Sequence, residues 1–363
     1  MATLYESFQI GDLVVPNRIV MAPLTRSRAN EQCEPTDLAV TYYTQRATAG
    51  LIISEASQIS QQGQGYICTP GIYTEGQVKG WRRVTDAVHA AGGRMCLQLW
   101  HVGRISHTHF QPHQAPPVAP SAIRAQAKVF IPSGFEDCSM PRALETAEIA
   151  ELVKSYAQAA QNAKQAGFDM IELHGANGYL IDQFLRDQSN QRTDAFGGSI
   201  ENRMRFPLQV VDALCQVYPS HRVGIRLSPA ATVHDADDSD PLTLFSELVR
   251  QLGQRRLGYL HLVEGQTLGP RDWRPAVDLG RLKKIFRASG GLSVIANNGY
   301  DRQMAERAVE DGSADMIAFG VPFIANPDLV ARLQHGYPLN QADSSTFYKG
   351  GAKGYTDYPF YAA

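Results

Sequence analysis

The sequence lacks long hydrophobic runs and carries almost no excess of charge of either sign. Even its longest apolar runs are short, as in GLIIS. Its first residues, MATLYESFQIGDL, do not follow the basic, apolar and small-residue order of a signal peptide. A formal net charge of -2 over 363 residues gives no broad basic field for nucleic acid or an anionic membrane surface. We therefore expect a cytoplasmic protein whose partners include neither nucleic acid nor a membrane.

Clustered metal ligands are also absent from the sequence. The five cysteines lie at positions 33, 68, 96, 138 and 215 without CxxC spacing, which predicts free thiols rather than a zinc or iron–sulfur site. Histidines at positions 101, 107, 109 and 113 share a proline-rich region without acidic partners, and His107 and its neighbours are better interpreted as solvated side chains. We predict no metal site.

What the sequence does contain is a regular alternation of β-rich and helical segments. No GxGxxG follows a β-rich segment and no GxxxxGK[ST] is present, so a Rossmann or P-loop fold loses its main support. Eight segments read as strands, the number that a (β/α)8 barrel needs: 18–24, 51–57, 94–100, 169–174, 223–228, 259–264, 293–298 and 316–321. We predict an α/β fold, a single (β/α)8 TIM barrel spanning residues 1–363.

Three segments around these strands carry further expectations. The clearest helix is predicted to begin near Thr146, acting as N-cap, and to end at Gly167. The region from about 102 to 142 is rich in Pro, His and Ser and long for a barrel loop, so we expect a cover segment over the barrel mouth after the third strand. The Gly- and Tyr-rich tail, about 339–363, is expected to be ordered but irregular.

Polar side chains concentrate where the strands end, which is where barrels of this kind carry their active sites. Period-2 alternation puts Glu172 and His174 on one face, and the Asn177-Gly178 turn lets His174, Asn177 and Tyr179 converge. Few carboxylates accompany them, which disfavours glycosidase and metal-hydrolase chemistry. The full set of strand-end residues is Pro23, Leu24, Thr25, Ala56, Gln98, Trp100, His174, Asn177, Tyr179, Arg226, Asn298, Gly299 and Gly320.

Several of these residues allow two interpretations from sequence alone. Arg226 either faces an anionic ligand or forms a salt bridge with an acid such as Glu172. Trp100 either walls a substrate pocket or packs in the core. Glycines after the seventh and eighth strands either approach a phosphate through backbone N–H groups or simply make turns. Thr25 and Ala56 also allow two interpretations, since each either contacts a ligand or is an ordinary strand-end residue.

Long motifs in the chain resemble the Old Yellow Enzyme family of FMN-dependent ene-reductases, and in particular its bacterial N-ethylmaleimide, nitrate-ester and xenobiotic reductases. The similarity runs from NRIVMAPLTRSRA through SEASQIS, QLWHVGRISH, PRALETAEI, HGANGYLIDQFL and NQRTDAFGGSIENRMRF to FIANPDLVARL and FYKGGAKGYTDYP. It therefore covers essentially the whole chain. The resemblance implies bound, non-covalent FMN, with NADPH or NADH as the reductant and one site for both half-reactions.

The resemblance also implies roles for individual residues. Residues around the flavin ring would be Pro23, Leu24, Thr25, Ala56, Gln98 and Arg226, and those near its phosphate would be Asn298, Gly299, Gly320 and Val321. His174 and Asn177 would donate hydrogen bonds to the substrate, Tyr179 would supply a proton, and Trp100 and Tyr348 would shape the pocket. The chain departs from its relatives at Val321, where an arginine is usual, and at Asn298, where a smaller residue is common.

The expected function is NAD(P)H-dependent reduction of activated C=C bonds in α,β-unsaturated carbonyl or nitro compounds, with nitrate esters as a further class. Alternatives are a flavoprotein with a sensing or binding role, and an enzyme like dienoyl-CoA reductase without the iron–sulfur domain. A Schiff-base aldolase is disfavoured, because none of the predicted strands ends in lysine. The oligomeric state is expected to be a monomer or a small homo-oligomer.

Overall fold

The structure, a computed structural model, describes residues 2–267, 269–274 and 276–362 and is built around a closed parallel barrel. Each barrel strand pairs with the next along the chain, and the eighth returns to pair with the first. The strands are Ile19–Met21 (β1), Leu51–Ile53 (β2), Met95–Trp100 (β3), Met170–Gly175 (β4), Val223–Leu227 (β5), Tyr259–Val263 (β6), Ser293–Asn297 (β7) and Met316–Phe319 (β8). This confirms the predicted TIM barrel, although β1 and β2 are shorter than expected.

Helices follow the strands and cover the outside of the barrel. They are Asp37–Thr44 (α1), Glu75–Ala90 (α2), Thr146–Gln165 (α3), Leu180–Leu185 (α4), Ile200–Val217 (α5), Pro241–Gln254 (α6), Leu279–Ala288 (α7), Arg302–Glu310 (α8), Val321–Ala325 (α9) and Leu329–His335 (α10). Most bury an apolar face in one continuous core between helices and sheet. Among the described residues, no helix is long and apolar enough to cross a membrane.

For helix α3, the predicted N-cap is wrong and the predicted end is confirmed. Its N-cap is Glu145 rather than Thr146, and the Glu145 backbone N–H donates to the Glu148 carboxylate at 2.8 Å. Thr146 is already helical, and its hydroxyl donates to Asp194 instead. At the other end α3 stops at Gln165, and Gly167 follows with φ +86°, as expected for a residue that ends a helix.

The amino-terminal end of the barrel is closed by a hairpin, Phe8–Ile10 paired with Leu13–Val15. Ile10, Leu13 and Val15 are buried and pack against the lower layer of barrel-interior side chains. That layer consists of Val20, Ala22, Leu51, Ile53, Cys96, Met170, Tyr259, Ile295, Met316 and Ala318. The barrel is therefore filled and plugged at its base, and its free space lies at the carboxyl ends of the strands.

The segment after β3 covers that opposite end. It contains a hairpin, Lys128–Ile131 paired with Gly134–Asp137, and two short strands, Val118–Ala119 and Arg142–Ala143, that pair in parallel. The tail approaches from the other side, where the Lys349 amine lies 3.6 Å from the centre of the Phe130 ring. Hairpin and tail thus meet above the barrel, and the cover segment predicted after the third strand is confirmed.

Arginines after β1 hold the irregular tail in place. Arg26 donates through Nε to the Phe347 carbonyl at 2.9 Å and through Nη2 to the Gly354 carbonyl at 2.7 Å. Arg28 donates to the carbonyls of Thr346 and Lys353. These bonds satisfy backbone carbonyls of the tail, whose regular secondary structure is limited to a short 3-10 helix, Ser344–Thr346.

All five cysteines are free thiols, as their spacing predicts. Of the histidines in the proline-rich region, His109 and His113 are exposed, whereas His101 is buried. Within the described ranges, no group of three or more His, Cys, Asp or Glu side chains is placed to hold a metal ion.

Candidate active site

A cavity of about 970 Å³ opens at the carboxyl ends of the barrel strands, beneath the hairpin and the tail. It is wide enough for a cofactor and a small substrate together. Eleven of the residues predicted for the site line it: Pro23, Leu24, Thr25, Asn177, Tyr179, Arg226, Asn298, Gly299, Gly320, Val321 and Tyr348. The other four, Ala56, Gln98, Trp100 and His174, are at most 5% exposed.

A tight turn after β4 brings three of the predicted residues together. Asn177 has φ +59° and Gly178 φ +73°, and Tyr179 is the residue that precedes α4. A Cβ on Gly178 would lie 2.6 Å from the Val233 carbonyl oxygen, so only glycine fits there. The ring centroids of His174 and Tyr179 are 5.0 Å apart, which confirms that the turn returns Tyr179 to the strand's end.

His174 is neutral and has a defined donor. Burial, followed by the positive charge of Arg226, holds the pKa of His174 well below its usual value. Its Nδ1 accepts the backbone N–H of Ala176 at 3.4 Å, which puts the single ring proton on Nε2. His174 is therefore a hydrogen-bond donor rather than a cation at neutral pH.

Asn177 is held by groups on either side of its turn. The Thr267 hydroxyl donates to Asn177 Oδ1 at 2.7 Å, and this leaves the amide NH2 group as the free donor. The Asn177 backbone N–H donates to Ser228 Oγ at 2.8 Å, and the Asn177 carbonyl lies 2.8 Å from His234 Nδ1. An asparagine with a positive φ and a committed carbonyl oxygen presents only its NH2 group to the cavity.

Tyr179 sits among aromatic rings with its hydroxyl beside another hydroxyl. The Tyr179 and Tyr66 oxygens are 3.1 Å apart, and the Trp100 ring meets the Tyr179 ring edge-on at 5.0 Å. Burial raises the pKa of Tyr179 to about 12. The phenol is therefore protonated at neutral pH and able to give up a proton only to a strong base.

Arg226 does not form the salt bridge with Glu172 that the sequence left open. Its Nη2 donates to Asn297 Oδ1 at 2.8 Å, and Glu172 instead contacts His261 Nδ1 at 2.8 Å and Gln98 Nε2 at 2.7 Å. Arg226 Nε is buried without a hydrogen-bond partner among the described residues. A buried unpartnered guanidinium N–H is costly, so the position fits an acceptor on a bound ligand.

Gln98 and Trp100 are buried near the end of β3. The Gln98 Nε2 donates to Glu172, so its side-chain orientation is fixed with the carbonyl oxygen free. Trp100 stacks on Tyr66 with centroids 5.5 Å apart and planes at 13°. Trp100 thus belongs to a buried cluster and packs against the tyrosines that line the cavity, without lining the cavity itself.

The glycine loops after β7 and β8 line one part of the cavity. Asn298 has φ +105°, a conformation that glycine adopts more easily, and its Nδ2 donates away from the cavity to the carbonyls of Glu264 and Gln266. Val321 opens α9 and is 36% exposed. Arg271 packs behind Gly299, where its Cδ would lie 3.4 Å from an added Cβ, and one of its Nη atoms is buried without a partner in the described part of the chain.

Sequence reasoning missed several residues of the site. Tyr66, Phe130 and Phe135 line the cavity from loops, and Thr267 and His234 fix Asn177. Tyr66 is 113 residues away from Tyr179, and it follows a very short strand, so no periodicity marks it. The aromatic alternation in KVFIPSGF was the one available signal for Phe130 and Phe135.

These residues fit FMN. Arg226 Nε lacks a partner, Gln98 has a free carbonyl oxygen, and the Gly299 and Gly320 backbones border the same cavity. A flavin pyrimidine ring offers both acceptors and an N–H donor, which suits an arginine and an amide carbonyl. The cavity volume also suits an elongated, planar cofactor.

Comparisons with known proteins show which family the chain belongs to. Residues 3–340 match the model of the NADH:flavin oxidoreductase / NADH oxidase family. The chain is 46% identical to 12-oxophytodienoate reductase 1 of Oryza sativa subsp. japonica, over 98% of this chain and 93% of that protein. Morphinone reductase in complex with tetrahydroNAD superposes with a TM-score of 0.93 at 48% identity, covering 100% of this chain and 98% of that one.

The structure of an Old Yellow Enzyme homologue from Zymomonas mobilis also superposes on this chain, with a TM-score of 0.93 at 39% identity and 99% of each chain covered. The agreement extends over the barrel, the cover segment and the tail rather than one motif. The chain belongs to the NADH:flavin oxidoreductase / NADH oxidase family, the family of Old Yellow Enzyme.

Proposed function

We propose that His174, Asn177 and Tyr179 carry out the alkene half of the reaction in this chain. The family is one of NAD(P)H-dependent FMN oxidoreductases that reduce activated alkenes, and small molecules and pyridine nucleotides are its partners. The observation that carries the assignment is the convergence of two oriented neutral donors and one buried phenol at the cavity. Substrates of the proposed class are α,β-unsaturated carbonyl or nitro compounds.

The cofactor would lie along the strand ends. Pro23, Leu24 and Thr25 would contact its ring from the loop after β1, while Arg226 and Gln98 would bond its pyrimidine edge and Ala56 would leave room for it. Bound FMN would supply the hydride-transfer chemistry that links NAD(P)H to the alkene. The phosphate would lie by Asn298, Gly299, Gly320 and Val321, with Arg271 as the neighbouring cation.

His174 and Asn177 would polarise the substrate. The His174 Nε2–H and the Asn177 NH2 group donate to the carbonyl or nitro oxygen, and these bonds strengthen as negative charge develops there during hydride addition. Because both donors are fixed by other contacts before the substrate binds, little reorganisation is needed. Trp100 and Tyr348 would shape the space around the substrate.

Tyr179 would protonate the α-carbon. A carbanion conjugated to a carbonyl is a strong base, so a phenol with a pKa of about 12 is acid enough, and it stays protonated across the physiological pH range. His174 and Asn177 would thus stabilise the negative charge on the substrate oxygen, while Tyr179 would complete the reduction at carbon.

The test separates the two halves of the reaction in the FMN-loaded protein. In the wild type, NADPH under anaerobic conditions should bleach the flavin absorbance and 2-cyclohexen-1-one should restore it. In Tyr179→Phe, bleaching by NADPH should stay within about twofold of wild type, while recovery with the enone should slow by about 100-fold, the size of a lost general acid. Equal slowing of both halves would remove Tyr179 from its assigned role.

Cytoplasmic location and a monomeric or small homo-oligomeric state complete the proposal. They are supported by the near-neutral charge and the short apolar runs of the sequence. Light scattering on the purified protein tests the oligomeric state, and cell fractionation tests the location.

A further inference from the structure

The hydroxyls of Tyr66 and Tyr179 form a pair that the mechanism above does not use. Their oxygens are 3.1 Å apart, and both side chains line the same cavity. Tyr66 comes from the loop after β2, whereas Tyr179 follows β4, so two distant parts of the chain are needed to build the pair. Neither hydroxyl bonds another protein group among the described residues.

The number of protons on the two phenols determines which of them donates this hydrogen bond when Tyr179 acts as the acid. Each phenol has one proton, and Tyr179 must aim its own at the substrate carbon if it is to act as the acid. The shared bond must then use the proton of Tyr66, with the Tyr179 oxygen as acceptor. After Tyr179 has given its proton to carbon, its oxygen carries a negative charge, and the same Tyr66 O–H faces that charge.

We propose that Tyr66 is a positioning residue that aims the Tyr179 proton at the substrate and stabilises the Tyr179 phenolate that remains. The inference rests on the proposed role of Tyr179 and deepens it. In this step the Tyr179 O–H bond breaks, the proton forms a C–H bond with the electron pair at the α-carbon, and the negative charge moves to the phenol oxygen. Tyr66 keeps its own proton throughout.

The surroundings of Tyr66 hold it in place for this role. Its ring stacks on Trp100 with planes at 13°, and Trp100 in turn meets Tyr179 edge-on, so one indole sets the positions of both phenols. The Tyr66 backbone carbonyl accepts hydrogen bonds from the Thr69 hydroxyl at 3.0 Å and from Gln64 Nε2 at 3.1 Å. Burial raises the pKa of Tyr66 well above its usual value, which keeps its hydroxyl protonated as a donor.

Tyr66→Phe removes the hydroxyl and keeps the ring that stacks on Trp100. In the FMN-loaded variant, flavin reduction by NADPH should stay within about twofold of wild type. Reoxidation by 2-cyclohexen-1-one should slow by about tenfold or more, the effect of losing a hydrogen bond to a charged oxygen. The solvent deuterium isotope effect on reoxidation should also increase, because proton transfer becomes more rate-limiting.

The matched control is Tyr73→Phe, which removes a phenol hydroxyl from the same long loop but outside the cavity. Both half-reactions of this control should match wild type. An unchanged reoxidation rate in Tyr66→Phe, or equal slowing of both half-reactions, would overturn the inference by leaving Tyr66 as a packing residue only.

The double variant separates this inference from the proposed function. If Tyr66 acts through Tyr179, adding Tyr66→Phe to Tyr179→Phe should slow reoxidation no further. A full additional tenfold loss in the double variant would contradict the inference while leaving Tyr179 as the acid. A Tyr179→Phe protein that reduces the enone at the wild-type rate would instead contradict the proposed function itself.

Discussion

At the scale of single residues, the contact between Thr267 and Asn177 has a testable effect. Thr267→Val should free the Asn177 amide to rotate, because the 2.7 Å hydrogen bond to Oδ1 is lost while the shape of the side chain is kept. Binding of a phenolic ligand, which the two donors would hold through its oxygen, should weaken about fivefold, the equivalent of about 1 kcal/mol. Titration of the flavin absorbance with the phenol measures this.

Two further variants serve as controls for the Thr267→Val experiment. The double variant His174→Ala with Asn177→Ala removes both donors and should weaken phenol binding far more than Thr267→Val. Thr243→Val, on the exposed start of α6, should leave binding unchanged. Tight phenol binding in Thr267→Val would mean that Asn177 needs no external support for its orientation.

Residue-level prediction from sequence succeeded where local pattern decides the outcome. The Asn177-Gly178 pair predicts a turn because both residues adopt positive φ readily, and it thereby placed Tyr179 beside His174. Glu172 on β4 pairs with His261 on β6 rather than with Arg226 on β5, the strand between them, so the pairing depends on which side chains meet inside the barrel. Period-2 alternation shows the face of a strand but not which side chain on another strand becomes the partner.

At the scale of elements, the short helix α9 places Val321 at the edge of the cavity. Val321→Arg should strengthen FMN binding about fivefold, since a half-exposed ion pair contributes about 1 kcal/mol or less. Fluorescence titration of the apoprotein with FMN gives the dissociation constant, and the effect should fade at high salt.

Riboflavin is the internal control for this experiment, because it has the same ring without the phosphate. Its affinity should be equal in wild type and Val321→Arg. A variant that binds both compounds more tightly, or neither, would show that residue 321 does not face the phosphate.

The strands were predictable as elements, but their ends were not. Apolar runs bounded by turn residues located all eight, since a buried parallel strand is apolar on both faces. The segment predicted as 51–57 is in fact Leu51–Ile53 with a separate short strand at Ser57–Gln58 that pairs with the end of β3. Sequence pattern marks burial, whereas the end of a strand depends on where its neighbours stop.

At the scale of the whole molecule, buried histidines tie stability to pH. His101 is buried, and burial lowers its pKa to about 3, against about 6.5 in an unfolded chain. Between these two values the unfolded chain binds the proton and the folded chain does not, so stability falls as the pH drops below about 6.5. At pH 5 this residue alone should lower the free energy of unfolding by about 2 kcal/mol.

Denaturant unfolding of the FMN-loaded protein at pH 7.5 and pH 5 measures this loss. His101→Gln should reduce the difference between the two pH values by about 2 kcal/mol, while the exposed His109→Gln should leave it unchanged. The remaining slope would belong to groups such as His174, whose pKa is also lowered by burial. A pH dependence identical in wild type and His101→Gln would contradict the assignment.

The hairpin that plugs the base of the barrel has a consequence for kinetics. Because Ile10, Leu13 and Val15 pack into that end, the cavity is reached from the opposite side of the described barrel, where the Lys128–Asp137 hairpin and the tail border it. If the reductant and the alkene use this one cavity in turn, as the resemblance to the family implies, each product must leave before the next molecule can enter. A large excess of either substrate should therefore slow turnover by occupying the form of the enzyme that awaits the other.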